Sequence, residues 1–281
     1  MKKNSKNLKW LKKPGIVFRK MLHPILMTGL KGFEKQQFDI IGEDLSKKMN
    51  NYEGPVLYAI NHSNVHDFPM TCKILKKHVY VLVADDIDNG VFNTLMLKIN
   101  GVIFVKRGDK QSGKLAKEKI IELLKNGQSV VMFPEASWNL DDVNLIHDFK
   151  WGIIDIAAKA DVPIIPIGLK YNLSDKCRVK FGNMINVSLN DNLLNKKEEL
   201  HEAMSTLIWD ILESYPIKKV SDIPEIKESY YSYVDKSLEE FPYNPEYERK
   251  FIYNNNLWPF EVVGPTYDKS IQKVHARKRI K

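Results

Sequence analysis

Residues 55–78 read PVLYAINHSNVHDFPMTCKILKKH. The run from Pro55 to Ile60 is uncharged and does not alternate, which is the pattern of a strand buried on both faces. A polar cluster follows at once, with Asn61, His62, Ser63, Asn64, His66 and Asp67 inside seven residues. Residues 68–78 then take up a helix-like spacing. The same grammar repeats downstream. Uninterrupted apolar runs recur at 79–84 (VYVLVA), 102–105 (VIFV), 129–133 (SVVMF) and 162–169 (VPIIPIGL), and helix-like segments fall at 91–99, 114–127 and 150–161. Asn126 and Gly127 close the second of these as a C-cap pair should. Residues 177–187 read as one more strand or hairpin, and 196–214 as a closing helix. Buried strands alternating with helices predict an α/β domain over residues 38–215, with a mostly parallel central sheet and helices on both faces.

Ligands of open α/β sheets bind beyond the carboxyl ends of the strands, and three polar clusters fall there: NHSNVHD (61–67), KRGD (106–109) and PEAS (134–137). Three readings of the first cluster stand side by side. His62 and Asp67 are spaced so that a turn after Asn61 lets the carboxylate fold back on the imidazole and hold one tautomer, an acid–base pair. His62, His66 and Asp67 could instead form a metal cage, although the other five histidines fall in no ligand-spaced pair. The third reading is an ordinary strand-to-helix turn.

Composition sets further bounds. The 281 residues are 43% hydrophobic and 28% charged, an ordinary globular balance long enough for a real core. Cys72 and Cys177 make no framework and no C-x-x-C motif, so reduced, buried thiols in a reducing compartment are expected. The net charge is +8. Residues 1–36 hold ten Lys/Arg against Glu34, and residues 268–281 hold six against Asp268. Subtracting +9 and +5 from +8 leaves −6 on the body. Basic ends on an acidic body do not describe a nucleic-acid binder, and no nucleic-acid partner is expected.

Within residues 1–37 the lysines interleave with Leu8, Trp10, Leu11, Ile16, Val17, Phe18, Met21 and Leu22. Arg19, Lys20, His23 and Pro24 break the only candidate for a membrane-spanning run, and they argue against a signal peptide too. The expectation is an interfacial helical hairpin on a membrane surface with anionic lipids, with an amphipathic helix packed on the domain as the alternative. Residues 216–281 form an aromatic-rich extension with a basic tail, read as a wrap over the domain or a partner-binding arm.

Taken together, these segments resemble the glycerolipid acyltransferase family, and within it the 1-acylglycerol-3-phosphate acyltransferases. Asn61, His62 and Asp67 match an N-H-x-x-x-x-D block. Gly101, Phe104, Val105 and Arg107 match G-x-x-F-V-x-R. Phe133, Pro134, Glu135 and Ser137 match F-P-E-G-[ST]-R, and Val162, Pro163, Ile164 and Pro166 match V-P-I-x-P. Lys150, in FKWG, matches an F-K-x-G segment. Ala136 and Trp138 stand where the third block has Gly and Arg, and Asn64 where the first usually has Ser.

The resemblance implies acyl transfer from a thioester of coenzyme A or acyl carrier protein to a lysophospholipid hydroxyl, giving phosphatidate for phospholipid synthesis. It implies no metal and no cofactor beyond that co-substrate. His62 would be the base and Asp67 its orienting partner, with the oxyanion donors among backbone N–H groups near the helix start after Asn61. Arg107, Lys106 and Lys150 would hold phosphate, Glu135 a glycerol hydroxyl or the site itself, and Asn61 and Ser137 would complete the substrate site. The expected location is peripheral, on the cytoplasmic face of the cell membrane. The alternatives are a different lysolipid or glycolipid acceptor, a metal-dependent hydrolase, and a non-catalytic lipid-binding relative.

Overall fold

A computed structural model describes residues 15, 17–23, 37–63, 66–75, 77–85, 101–106, 108–139, 144–171, 176–215, 232 and 235. The chain divides into two compact units, residues 1–139 with 146–217 and residues 140–145 with 218–281. The first unit carries the sheet and all three polar clusters. The expected helix at 91–99, nearly all of 216–281, and the N-terminal hairpin apart from 15 and 17–23 lie outside the described residues.

Among the described residues seven strands form one sheet: β1 (Gln37–Ile41), β2 (Leu57–Ile60), β3 (Val79–Ala84), β4 (Val102–Val105), β5 (Ser129–Met132), β6 (Ile164–Tyr171) and β7 (Lys176–Phe181). The helices are α1 (Glu43–Asn50), α2 (Asp67–Ile74), α3 (Lys110–Lys125), α4 (Gly152–Ala160) and α5 (Leu193–Glu213). The strand order is β1-β7-β6-β2-β5-β3-β4. Pairings β2–β5, β2–β6, β3–β5 and β3–β4 are parallel. The pairing β6–β7 is antiparallel, and β1 is parallel to β7. The sheet is therefore mixed and mostly parallel, in agreement with the continuously apolar runs.

Residue parity separates the two faces. Tyr58, Ile60, Val131, Ile165, Ile167 and Leu169 join Met49 of α1 and Met70 and Ile74 of α2 in one core. On the opposite face α3, α4 and α5 form a layer, with α4 over β2 between its neighbours. Helix α5 turns Leu200, Met204, Leu207, Ile208 and Ile211 inward, a 3.6-residue stripe. It approaches β6 so closely that a Cβ at Gly168 would lie 3.1 Å from Leu207 Cβ. Helix α3 is capped by Asp109, whose carboxylate accepts from the N–H groups of Gln111 and Ser112.

Strand β2 is central, and β2, β3, β4 and β5 all point the same way. The ends of β2, β4 and β5, which carry the three polar clusters, thus lie along one sheet edge. From β2 to β4 is three strand spacings, roughly 14 Å.

Residues 17–23 are helical, with Lys20 exposed and two polar side chains turned inward. Arg19 and His23 are buried. The Arg19 guanidinium lies over the Tyr80 ring at 5.6 Å, and His23 meets His78 edge-on at 5.4 Å. Val17, Phe18 and Met21 are exposed, at 70%, 52% and 70%. Among the described residues no helix is long and apolar enough to cross a membrane.

Candidate active site

Strand β2 ends at Ile60, and the chain turns before α2 begins at Asp67. Both sides of that turn are fixed by side chains. The Asn61 amide donates to Leu169 O (2.8 Å) and accepts from Leu169 N–H (2.7 Å), tying the end of β2 to β6. Asp67 opens α2 in its first turn, where a negative charge suits the helix dipole. Its side chain is 0% exposed. Oδ2 accepts from His62 Nδ1 at 2.7 Å and from Ser63 N–H at 2.7 Å, as a buried carboxylate requires.

The loop after β5 closes over this turn. Glu135 is 3% exposed and takes one backbone donor on each oxygen, His62 N–H on Oε1 and His147 N–H on Oε2, both at 2.9 Å. Burial raises its pKa against the pull of those two donors. The carboxylate therefore braces the loops at 62 and 147. Asn139 N–H adds a 2.6 Å bond to His62 O. Phe133 stacks on the His62 ring at 4.3 Å. Trp138, 3% exposed, donates its indole N–H to His62 Nε2 at 3.0 Å.

With a carboxylate on Nδ1 and an indole N–H on Nε2, the geometry assigns one tautomer: the proton on Nδ1 and the lone pair on Nε2. That is the arrangement of a general base whose charged form is stabilised from behind. Behind Asp67 lies a further buried layer. The Tyr171 phenol is pushed well up, by burial first and then by Asp67 and Cys177. Cys72 is pushed up to about 12 by burial, and burial raises Cys177 as well. Both thiols are buried and free, so neither is placed as a nucleophile.

The other expected residues are distributed as follows. Lys106 is exposed at the end of β4, its N–H bonded to Ser112 Oγ at 2.8 Å. Arg107 lies outside the described residues. Ser137 is half-buried in the loop after β5, and Lys150 is exposed, with its N–H bonded to Pro134 O at 2.9 Å. The N–H groups of His62 and Ser63 are already held by Glu135 and Asp67, so neither is placed to serve as an oxyanion donor. Among the described residues no three His, Cys, Asp or Glu side chains are gathered as for a metal ion.

Residues 37–170 match the family model described as Acyltransferase. This segment is similar to the acyltransferase family. Its relatives include the 1-acyl-sn-glycerol-3-phosphate acyltransferase of Borreliella burgdorferi, 27% identical over 201 residues, covering 71% of this chain and 72% of that protein. The chloroplastic enzyme BAT2 of Brassica napus, which bears the same activity in its name, is 26% identical over 148 residues, 53% of this chain. The match takes in only 38% of that protein's length. The crystal structure of the 1-acyl-sn-glycerophosphate acyltransferase PlsC from Thermotoga maritima superposes with a TM-score of 0.57 at 16% identity. It covers 71% of this chain and 83% of its own, and it shows the fold of the acyltransferase domain. Over this region the chain is similar to proteins named as 1-acyl-sn-glycerol-3-phosphate acyltransferases.

In the sequence Trp138 stands out only as the residue in place of an arginine, and Phe133 only as a block residue. The signal that could have placed them was two aromatics flanking Glu135 by two and three residues, on a loop destined for the sheet edge that holds His62.

Proposed function

We propose that the protein transfers a fatty acyl group from a thioester of coenzyme A or acyl carrier protein to the free hydroxyl of 1-acyl-sn-glycerol-3-phosphate, forming phosphatidate. The observation that carries this reading is the His62–Asp67 pair, 2.7 Å apart with the carboxylate fully buried. His62 Nε2 takes the hydroxyl proton as the oxygen attacks the thioester carbonyl, and Asp67 stabilises the imidazolium. The tetrahedral intermediate collapses with loss of thiolate, which takes the proton back from Nε2. Base catalysis of this kind contributes on the order of 10²–10⁴-fold.

Arg107, with Lys106 and Lys150, is the proposed phosphate grip, and Ser137 belongs to the same acceptor site. We place the enzyme on the cytoplasmic face of the cell membrane as a peripheral protein. The outward apolar side chains of residues 17–23 and the basic ends of the chain support that placement.

The test is a panel of lysolipids with coenzyme A and acyl carrier protein thioesters, read by mass spectrometry for wild type and His62→Ala. Phosphatidate formed by wild type and lost in a folded His62→Ala is the expected result. Preference for an uncharged lysoglycolipid would overturn the acceptor assignment, and activity in His62→Ala would overturn the mechanism.

A further inference from the structure

Nε2 of a neutral imidazole has one lone pair, and here that pair is occupied. Trp138 donates to it at 3.0 Å, and indole has only its N–H to offer, so the contact cannot reverse its polarity. The two rings meet edge-on, with centroids 5.9 Å apart, while Phe133 covers the imidazole face. The main chain next to Trp138 is pinned to the same histidine by the Asn139 N–H bond to His62 O. One loop therefore puts Trp138 on the nitrogen that must receive the acceptor's proton, Phe133 on the ring face and Asn139 on the histidine's main chain. An acceptor hydroxyl cannot bond Nε2 until the indole N–H leaves. Once Nε2 is protonated it becomes a donor, and the indole N–H facing it would be repelled.

The geometry points to Trp138 as a gate that the acceptor displaces and that shields the acyl thioester from water. This rests on the proposed acyl transfer but not on the identity of the acceptor. In the closed state water at the site finds no free base. Were the base free, water would lose a proton to Nε2 while its oxygen bonded the thioester carbonyl. The C–S bond would then break, the thiolate would take the proton back, and the donor would be wasted as free acid and thiol. An acceptor that brings binding energy from its chain and headgroup opens the gate; water brings none. An arginine at this position, as in the block the loop resembles, could not act so, since its guanidinium would offer a fixed charge and five donors.

Trp138→Phe keeps the aromatic filling and removes the donor. Hydrolysis of oleoyl-coenzyme A without acceptor should rise about three- to tenfold, the range a single neutral hydrogen bond spans. The KM for the acceptor should fall by a similar factor while kcat changes less, since no bond need be exchanged on binding. A merely structural role would lower kcat and leave hydrolysis flat.

The second arm uses wild-type protein labelled with 5-fluorotryptophan, which carries five tryptophans. The fluorine resonance that moves in His62→Ala reports Trp138, and it should move again on saturation with 1-oleoyl-sn-glycerol-3-phosphate or with whichever lysolipid the panel selects. Unchanged hydrolysis in Trp138→Phe, or a Trp138 resonance indifferent to an accepted lysolipid, overturns the gate while leaving acyl transfer intact. Raised hydrolysis in a protein that ignores lysophosphatidate would uphold the gate and reject that acceptor.

Discussion

Asp67→Asn isolates what the buried charge contributes. In the wild type a single oxygen, Oδ2, accepts from both His62 Nδ1 and Ser63 N–H. Asparagine can satisfy both donors only by turning its carbonyl oxygen to that position, because its NH₂ there would face two N–H groups. The substitution should therefore preserve the tautomer, with the lone pair still on Nε2. In triads where the amide substitution strands the wrong tautomer the loss is about 10⁴-fold; here the Ser63 N–H guards against that.

What disappears is the attraction between carboxylate and imidazolium. Two unit charges about 4 Å apart at an effective dielectric constant near 20 interact by about 4 kcal/mol. The amide dipole restores part of this, leaving a deficit of roughly 3 kcal/mol, or on the order of 10²-fold in kcat. The assay is thiol release from oleoyl-coenzyme A with a saturating lysolipid, alongside a melting curve. The variant should melt at or above the wild-type temperature, since a neutral amide is cheaper to bury than a carboxylate. A loss below tenfold would show that the charge is not used. A loss matching His62→Ala would show that the tautomer argument is wrong.

Other substitutions address the frame of the site. Ala136 holds φ 59°, a left-handed backbone that glycine adopts without penalty, so Ala136→Gly should raise the urea midpoint, gaining about 0.5–1 kcal/mol with no change in slope. Burial raises the pKa of Glu135, so the folded chain holds that proton more tightly than the unfolded chain. Its contribution to stability then falls as pH rises from the ordinary carboxylate value through the raised one. Melting temperatures across that window should decline with pH more steeply for wild type than for Glu135→Gln, and parallel curves would contradict the assigned direction. Phe18→Asp with Met21→Asp should weaken binding to anionic vesicles at least tenfold without lowering the melting temperature, as both side chains are exposed. Equal vesicle affinity would leave residues 17–23 as a packed helix only.

The sequence reported burial well and partnership poorly. VYVLVA coincides with β3 because both faces of that inner strand are largely covered and no solvent-facing position interrupts the run, whereas VIFV coincides with β4 at the sheet edge even though Phe104 is exposed there. Strand β1 escaped because QFDII alternates, carries Asp39, and lies at the edge of the sheet against β7 alone. Helix α1 escaped because EDLSKKMN is eight mostly polar residues that bury only Ser46 and Met49. At the site, the five-residue spacing of His62 and Asp67 fits a local turn, and the contact is there. Glu135, His147 and Trp138 reach His62 or its loop from 73 or more residues away along the chain or through a loop 12 residues on. No local pattern encodes which backbone N–H a distant carboxylate will meet.

The side chain of Asn61 acts as a surrogate peptide unit. Strand pairing runs as far as Ile60 opposite Ile167, and there the main chain of β2 must leave the sheet for His62 to reach the edge. A bare departure would strand the N–H and C=O of Leu169, a residue with no solvent exposure. The carboxamide supplies one donor and one acceptor in their place, so the ladder gains a rung after the backbone has turned away. Aspartate could accept but not donate there, leucine could do neither, and glutamine would set the same group one methylene too far out. The histidine is thus carried on a strand end that is sealed against fraying, and the amide proton of Leu169 should exchange as slowly as those in the middle of β6.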